Sequence, residues 1–332
     1  QTFFRTTRTG LTGQQDGIWA SSEVDGLNNF KRTKDAWNSG RIRHMTWDPY
    51  RKEWLYLYYN PNTPSKGNQG WSSSDGISWS LNGVLIGLDA HKRPTNLKRF
   101  ATSNHGTIII SRRNTQDTGP NCTLWRIPFT GKFGEGSQTT CATGTASFQN
   151  RGVPLYGNGT WIIPQATGVG RSTDDGKTWS HVTINYGGND QKISDVAYNK
   201  NRKTWMGWSQ DNGTARIFKS VNNGQTWSHV YSNGSLEPNT IKTDGWGIWL
   251  LSGNGHQLFR SKNNGSSWQQ ISLDTSGIST NQIKGVALKS CGPGKVVNSN
   301  KSSRGDLTGN IGDEVIATCN AGYSGGGKWR WL

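Results

Sequence analysis

The sequence predicts an all-β protein assembled from a repeated unit, and three observations lead there. An eight-residue phrase ending in Trp recurs four times. Its copies are 41, 48 and 100 residues apart, counted from Trp to Trp, so the unit is 40 to 50 residues long with one copy eroded. Composition fits short strands and tight turns with large aromatic wedges: 44 Gly and 17 Trp among 332 residues, with only 31% hydrophobic. Aromatic content is too high, and the charged fraction of 17% too low, for a disordered chain.

The phrase reads SSSDGISW at Ser72–Trp79, STDDGKTW at Ser172–Trp179, SVNNGQTW at Ser220–Trp227 and SKNNGSSW at Ser261–Trp268. The common pattern is Ser, any residue, Asp or Asn, any residue, Gly, any residue, Ser or Thr, Trp. In the first copy Ser74 stands where the others carry the acid or amide. An Asp or Asn side chain at the third position accepts turn amides, Gly supplies a positive φ, and the Trp wedges between sheets. The pattern resembles the Asp box of sialidases and related propellers. That resemblance implies a six-bladed β-propeller with a box at the rim of each blade, away from the active face. Asp174, Asn222 and Asn263 are therefore expected to be structural.

Blades are counted from the spacing. The hidden box falls near Trp125–Phe133, where an insertion bearing Cys122 has eroded it. One step back from Trp79, SEVDGLNNF at Ser22–Phe30 is a degenerate box. The stretches Arg43–Tyr59 and Ser194–Ser209 resemble each other, each an inner strand, a polar turn and a second strand. After the last box, Asn281–Lys289 reads as a sixth inner strand without following strands of its own. N-terminal strands near Phe3–Thr7 and Ile18–Ser22 are expected to complete that blade and remove the open edge. The propeller is thus expected over residues 1–290.

Residues 291–332 form a small C-terminal β tail of different character. The pieces CGP, GDEVIATC, NAGY and a late Trp resemble part of a sushi (complement-control) module. Such modules carry four cysteines and mostly mediate protein contacts. With two present, either the module is degenerate or the chain given stops before the rest. The Arg304-Gly305-Asp306 tripeptide is short enough to arise by chance.

The four cysteines form two local pairs, and Cys122–Cys141 and Cys291–Cys319 disulfides are expected. Sequons stand at Asn121, Asn158, Asn212, Asn233, Asn264 and Asn300. Disulfides and sequons favour a secreted, extracellular glycoprotein. There is no apolar run of membrane-spanning length, and no leader precedes Gln1, which reads as the start of a mature or trimmed chain.

The net charge of +16 points to an anionic partner. Nucleic acid is disfavoured, because Lys and Arg are scattered and no nucleic-acid-binding pattern occurs. Dispersed surface cations without a partner would give the same net charge. Lining up the six inner strands places Arg43, Arg99, Arg151, Lys192, Lys242 and Lys284 near their entrances. This predicts a basic axial mouth for a carboxylate or sulfate. Aromatics near the inner-strand ends, Trp47, Tyr50, Trp161, Tyr198 and Trp246, would stack sugar rings or simply pack the core.

The sialidase resemblance also implies an Arg triad, a Tyr nucleophile activated by Glu, and an Asp acid. Arg126-Ile127-Pro128 matches the family's early motif but lies mid-chain, outside an inner strand. The catalytic candidates are Tyr231 with Glu237, and Asp195 as acid. A polysaccharide lyase would use a base such as His44 with Arg or Lys neutralising a uronate. No metal-ligand spacing or cofactor motif occurs. The leading expectation is a non-catalytic glycoprotein binding acidic polysaccharides, glycoconjugates or matrix, with a protein contact or self-assembly through the tail. A glycan-cleaving enzyme and a purely structural coat or filament subunit are the alternatives.

Overall fold

The computed structural model describes residues 3–7, 17–21, 31–35, 41–59, 68–85, 97–112, 124–129, 131–132, 135–141, 152–245, 247–255, 257–272, 314–318 and 326–330. These residues form strands and turns, with no helix among them. An N-terminal sheet holds β1 (Phe3–Thr7), β2 (Gly17–Ser21) and β3 (Lys31–Asp35). The first four-stranded sheet follows: β4 (Arg41–Asp48), β5 (Glu53–Tyr59), β6 (Asn68–Ser73) and β7 (Ser80–Leu85). The second is β8 (Leu97–Thr102), β9 (Ile108–Arg112), β10 (Leu124–Ile127) and β11 (Ser137–Gln138).

The third sheet begins from β12 (Thr140–Cys141), which pairs in parallel on the outer edge of the meander. That meander is β13 (Leu155–Gly157), β14 (Thr160–Gln165), β15 (Gly168–Ser172) and β16 (Thr178–Thr183). A small hairpin, β17 (Asn185–Tyr186) and β18 (Asn189–Asp190), leads to the fourth sheet. The fourth is β19 (Ile193–Asn199), β20 (Thr204–Asp211), β21 (Thr214–Ser220) and β22 (Ser228–Asn233). The fifth is β23 (Pro238–Thr243), β24 (Trp249–Gly253), β25 (Leu258–Ser261) and β26 (Gln269–Gln270). In the tail, β27 (Glu314–Thr318) pairs antiparallel with β28 (Gly326–Arg330).

Successive meanders pack face to face, so the core is a series of apolar layers between sheets. Leu55 and Leu57 of the first sheet meet Phe100, Ile108, Ile110 and Ile127 of the second. Ile109 and Leu124 of the second meet Trp161, Ile163 and Trp179 of the third. Ile162 and Val169 of the third meet Val196, Trp205 and Phe218 of the fourth. Met206, Trp208 and Ile217 of the fourth meet Trp249, Leu251 and Phe259 of the fifth. Inner strands of neighbouring sheets touch, β4 with β8 and β19 with β23. This is the architecture of a β-propeller. The sheet built from β8 to β11 fills the long gap between Trp79 and Trp179, where the spacing placed an eroded repeat.

The repeated phrase forms the turn between the third and fourth strands, and its chemistry is as expected. Asp174 accepts from Ser172 Oγ at 2.8 Å and from the Thr178 amide, while Asn222 and Asn263 make the matching bonds in their copies. The Trp179 and Trp227 indoles donate to the carbonyls of Gly176 and Gly224. Those glycines and Gly265 have φ near +80°. A Cβ at any of the three would also collide with Ile109, Ile162 or Met206 of the preceding sheet, so the position tolerates no side chain.

The first copy departs from the alignment. Ser73, not Ser72, bonds the Gly76 amide, and Asp75, not Ser74, accepts from Ser73 Oγ and the amides of Ile77 and Ser78. The turn is one residue shorter, so the acid sits one place later in the phrase. Those amides hold the Asp75 carboxyl well below the usual carboxylate range.

The fourth box residue fastens each sheet to the one before it. Asp175, Asn223 and Asn264 have φ of 61°, 59° and 55°. Asp175 pairs with Arg126 at 2.7 Å and accepts from Thr107 Oγ1. Asn223 donates to Thr160 Oγ1, and its carbonyl accepts from Arg171 Nε. Asn264 donates to Thr204 Oγ1, and its carbonyl accepts from Lys219 Nζ. Asn223 and Asn264 also accept from the buried indoles of Trp205 and Trp249 in their own sheets. In the third sheet the corresponding atoms, Trp161 Nε1 and Asp175 Oδ1, are buried without partners, because Arg126 and Thr107 hold the other carboxylate oxygen.

Asn264→Ala is accordingly expected to cost about 1–3 kcal/mol, since it strands the Trp249 indole and leaves alanine at positive φ. Asn264→Asp, which keeps the acceptor, should lose less. Urea denaturation of both variants checks this; equal losses would remove the indole bond from the account.

Candidate functional site

Propeller strands alternate direction, so each sheet offers its turns to two opposite faces. One face carries the inner-strand entrances. The other carries the boxes and the turns that join first to second strands.

At the entrance face the predicted ring of six cations does not assemble at one level among the described residues. Four of the five described inner strands carry a β-bulge near their start, between Ile42 and His44, Leu97 and Arg99, Ile193 and Asp195, and Pro238 and Thr240, while the short β13 pairs without one. Each bulge inserts an unpaired residue and resets the alternation of faces. Counted from the bulge, Arg99 immediately follows it, Lys192 lies three residues before the equivalent Asp195, and Lys242 two residues after the equivalent Thr240. At about 3.3 Å per paired residue, Lys192 and Lys242 are about 13 Å apart in level. Arg43 is itself the bulge residue, with its backbone alone described, and Arg151 and Lys284 lie outside the described residues.

Among the described residues the charges at this face are largely answered by acids. Lys242 pairs with Asp195 at 3.3 Å. The same Asp195 oxygen accepts from Thr240 Oγ1 at 2.7 Å and from the Ile241 amide. Asp195, read from the sequence as a catalytic acid, is a bond between the inner strands of the fourth and fifth sheets. Asp190 and Glu237 are exposed on the same face as the exposed Lys192.

The proposed Tyr231–Glu237 pair is not formed. Tyr231 lies on β22, the strand farthest from the axis, where its hydroxyl accepts from Asn233 and its ring packs against Trp268. The Glu237 carboxylate accepts instead from Asn254 Nδ2 at 2.5 Å. The Arg126-Ile127-Pro128 stretch lies on the third strand of its sheet, with Arg126 committed to Asp175. His44 has its ring edge-on to Phe100 at 5.3 Å. Its Nδ1 is sealed from solvent and has no hydrogen-bond partner. Burial first, then the charges of Arg99 and Lys242, lower its pKa to about 4 against an opposing bond to the Phe100 backbone. A pKa far below neutrality makes it a weak base, and its Nδ1 is closed to a substrate.

The box face is different. Of the cations whose exposure is described, eight are exposed, and seven of them lie on this face: Lys52, Lys132, Lys177, Lys200, Arg202, Lys203 and Lys262. Only Asp75 and Glu135 are comparably exposed acids there among the described residues. The densest part is the turn after β19. Lys200 packs beside Gly245 and Arg202 beside Gly247, on the neighbouring turn of the fifth sheet. Asn201 donates twice to the Gly245 carbonyl and fixes the two turns together. Lys262 belongs to the box whose Asn264 bonds Thr204 at the end of the same turn. Sequence reasoning missed this face because its cations are far apart in the chain, although the run Lys200-Asn201-Arg202-Lys203 was a visible signal.

Of the aromatics near inner-strand ends, Trp161 is buried core and Tyr198 packs over Gly157 and Trp205. Trp47 and Tyr50 keep 39% and 53% of their surface exposed, and Trp246 lies outside the described residues. Among the sequons, Asn158 and Asn212 occupy exposed tight turns. Asn233 bonds Tyr231 and Ser235. The Asn264 amide is spent between sheets on Thr204, the nitrogen a glycan would need. Asn121 and Asn300 are outside the described residues, as are Cys122, Cys291 and Cys319; the backbone of Cys141 lies in β12.

No family model matches the sequence, and no curated protein matches it. Solved structures do match in fold. The GH74 enzyme of Niastella koreensis aligns with a TM-score of 0.55 at 15% identity, over 77% of this chain and 42% of that one. The GH74 xyloglucanase of Xanthomonas campestris gives 0.52 at 12%, over 80% and 43%. YCF48 bound to D1 peptide gives 0.54 at 12%, over 81% and 78%. The chain spans less than half the length of the two GH74 chains. The likeness is one of fold, and the fold is a β-propeller.

Proposed function

We propose that this protein is a secreted, non-catalytic β-propeller that binds acidic polysaccharides or glycoconjugates through its box face. The observation that carries the reading is the gathering of exposed cations on that face, while the described residues of the entrance face are close to charge balance. Seven exposed like charges cost stability through mutual repulsion, and a polyanion laid across them relieves it. The same distribution moves the expected anion site from the axial mouth to the opposite face.

The non-catalytic part of the reading is supported by the separation of Tyr231 from Glu237, the saturation of the Asp195 oxygen by donors, and the sealed Nδ1 of His44. Asn158 and Asn212 are the glycan acceptors the geometry favours, which fits an extracellular site of action. Six blades complete the ring in this reading, with residues 282–287 supplying the inner strand beside β1, β2 and β3. The tail then provides a protein contact.

The test is binding of immobilised sialylated, uronate-bearing and sulfated glycans, with mass analysis of the sugars afterwards. Wild type is expected to bind at low salt, to release as salt rises, and to leave every glycan intact. The triple variant Lys200→Glu, Lys203→Glu, Lys262→Glu should bind at least tenfold more weakly. Unchanged affinity would overturn the box-face reading, and shortened or unsaturated sugars would make the protein an enzyme.

A further inference from the structure

Two large aromatic rings stand on the box face where the first and second sheets meet. Tyr50 and Phe129 keep 53% and 49% of their surface exposed, and their rings meet edge to face at 6.1 Å. Scattered exposed aromatics are ordinary on protein surfaces, but this pair is built in place. Arg51, between them and largely buried, donates to the carbonyls of Gly106, Phe129 and Gly131 and pairs with Asp48 at 2.5 Å. One guanidinium thereby locks three turns from two sheets. Tyr50 lies over Gly106, where any Cβ would come within 2.7 Å of the ring. The rings are thus held in one arrangement before anything binds.

We infer that Tyr50 and Phe129 form a sugar-stacking subsite for the acidic polysaccharide. The inference rests on the box-face reading and adds to it the part of the site that recognises sugar rather than charge. The C–H groups of a pyranose face carry slight positive charge and lie favourably on the negative face of an aromatic ring. The rings touch each other edge to face, so a sugar lies on their exposed outer surfaces rather than between them. Exposed Lys52 and Lys132 flank the pair on the same turns and complement the acidic groups of the chain. Because the turns are already locked, little ordering entropy is lost on binding.

The experiment uses a hyaluronan fragment, whose sparse charge makes stacking visible, beside heparin and a single-stranded DNA of matched charge. In the double variant Tyr50→Leu, Phe129→Leu, leucine keeps apolar bulk over Gly106 and removes the rings; a thermal melt verifies folding. Hyaluronan affinity is expected to fall at least tenfold at both low and high salt, with the salt slope unchanged. The Lys200, Lys203, Lys262 variant is expected to flatten the slope instead. Unchanged hyaluronan affinity in the leucine variant would overturn the subsite while leaving the cation face standing. No glycan binding by wild type would overturn both. Tighter wild-type binding to the DNA, with the same loss on ring removal, would overturn the assignment to polysaccharide.

Discussion

Trp205→Ala should destabilise the protein by about 3–5 kcal/mol, the cost of deleting a large, fully buried side chain. Trp205 is 0% exposed and fills the layer between the third and fourth sheets with Ile162, Val169, Ile184, Ile193, Val196 and Phe218. Tyr198 lies against it at 4.6 Å, and its indole donates to Asn223 at 3.3 Å. How much such a deletion costs depends on whether the walls can close over the gap. Here Asn223 bonds Asn158, Thr160 and Arg171 of the third sheet and holds the sheets at their spacing, so collapse is limited and the upper part of the range applies. For a domain stable by about 5–15 kcal/mol this is a large fraction. Urea denaturation of wild type, Trp205→Ala and Trp205→Phe measures it. Phenylalanine should recover most of the volume and none of the indole bond. A loss under about 1 kcal/mol for the alanine variant would mean that the layers between sheets are not what holds the fold.

Much of this was legible in the chain because turn chemistry is local. Ser172, Asp174, Gly176 and Trp179 make all their characteristic bonds within eight residues, so the phrase announces its own structure. The first box shows the limit. Its neighbouring Ser72, Ser73 and Ser74 allow two registers, and only the structure selects the shorter turn built on Ser73 and Asp75. The sheet-to-sheet fastening was missed although its signal was present. The fourth box residue was treated as variable, yet three copies carry Asp175, Asn223 and Asn264, residue types that tolerate positive φ and bond through the side chain.

The differing levels of Arg99, Lys192 and Lys242 were not legible for a different reason. An inner strand with a bulge reads in sequence like one without it, and a single inserted residue redirects every side chain beyond it. The charge on the box face comes from turns in several sheets, so it becomes visible only when the sheets are stacked. Tyr231 and Glu237 were paired because they are six residues apart in the chain. The meander separates them, one on the outermost strand of its sheet and the other at the entrance of the next inner strand.

The protein is expected to lose stability in mild acid through His44. Burial and the charges of Arg99 and Lys242 set its folded pKa near 4, against 6.5 for the free side chain. Between those values the unfolded chain binds a proton that the folded chain refuses, so stability rises with pH across the window. The contribution is fully present above about pH 6.5 and is lost as pH falls toward 4. At 1.36 kcal/mol per unit it amounts to about 3 kcal/mol. His44→Gln should remove this part of the acid sensitivity, measured as the difference in unfolding free energy between pH 6.5 and 4. An identical pH dependence in the variant would show that the histidine is not held neutral. Lys242→Met carries the argument further. Lys242 belongs to the fifth sheet and His44 to the first, and the lysine charge is one of the causes that lower the histidine pKa. Removing the lysine charge should therefore raise the His44 pKa and shift the acid transition of stability upward. A transition that stays in place would remove Lys242 from the causes of the His44 shift.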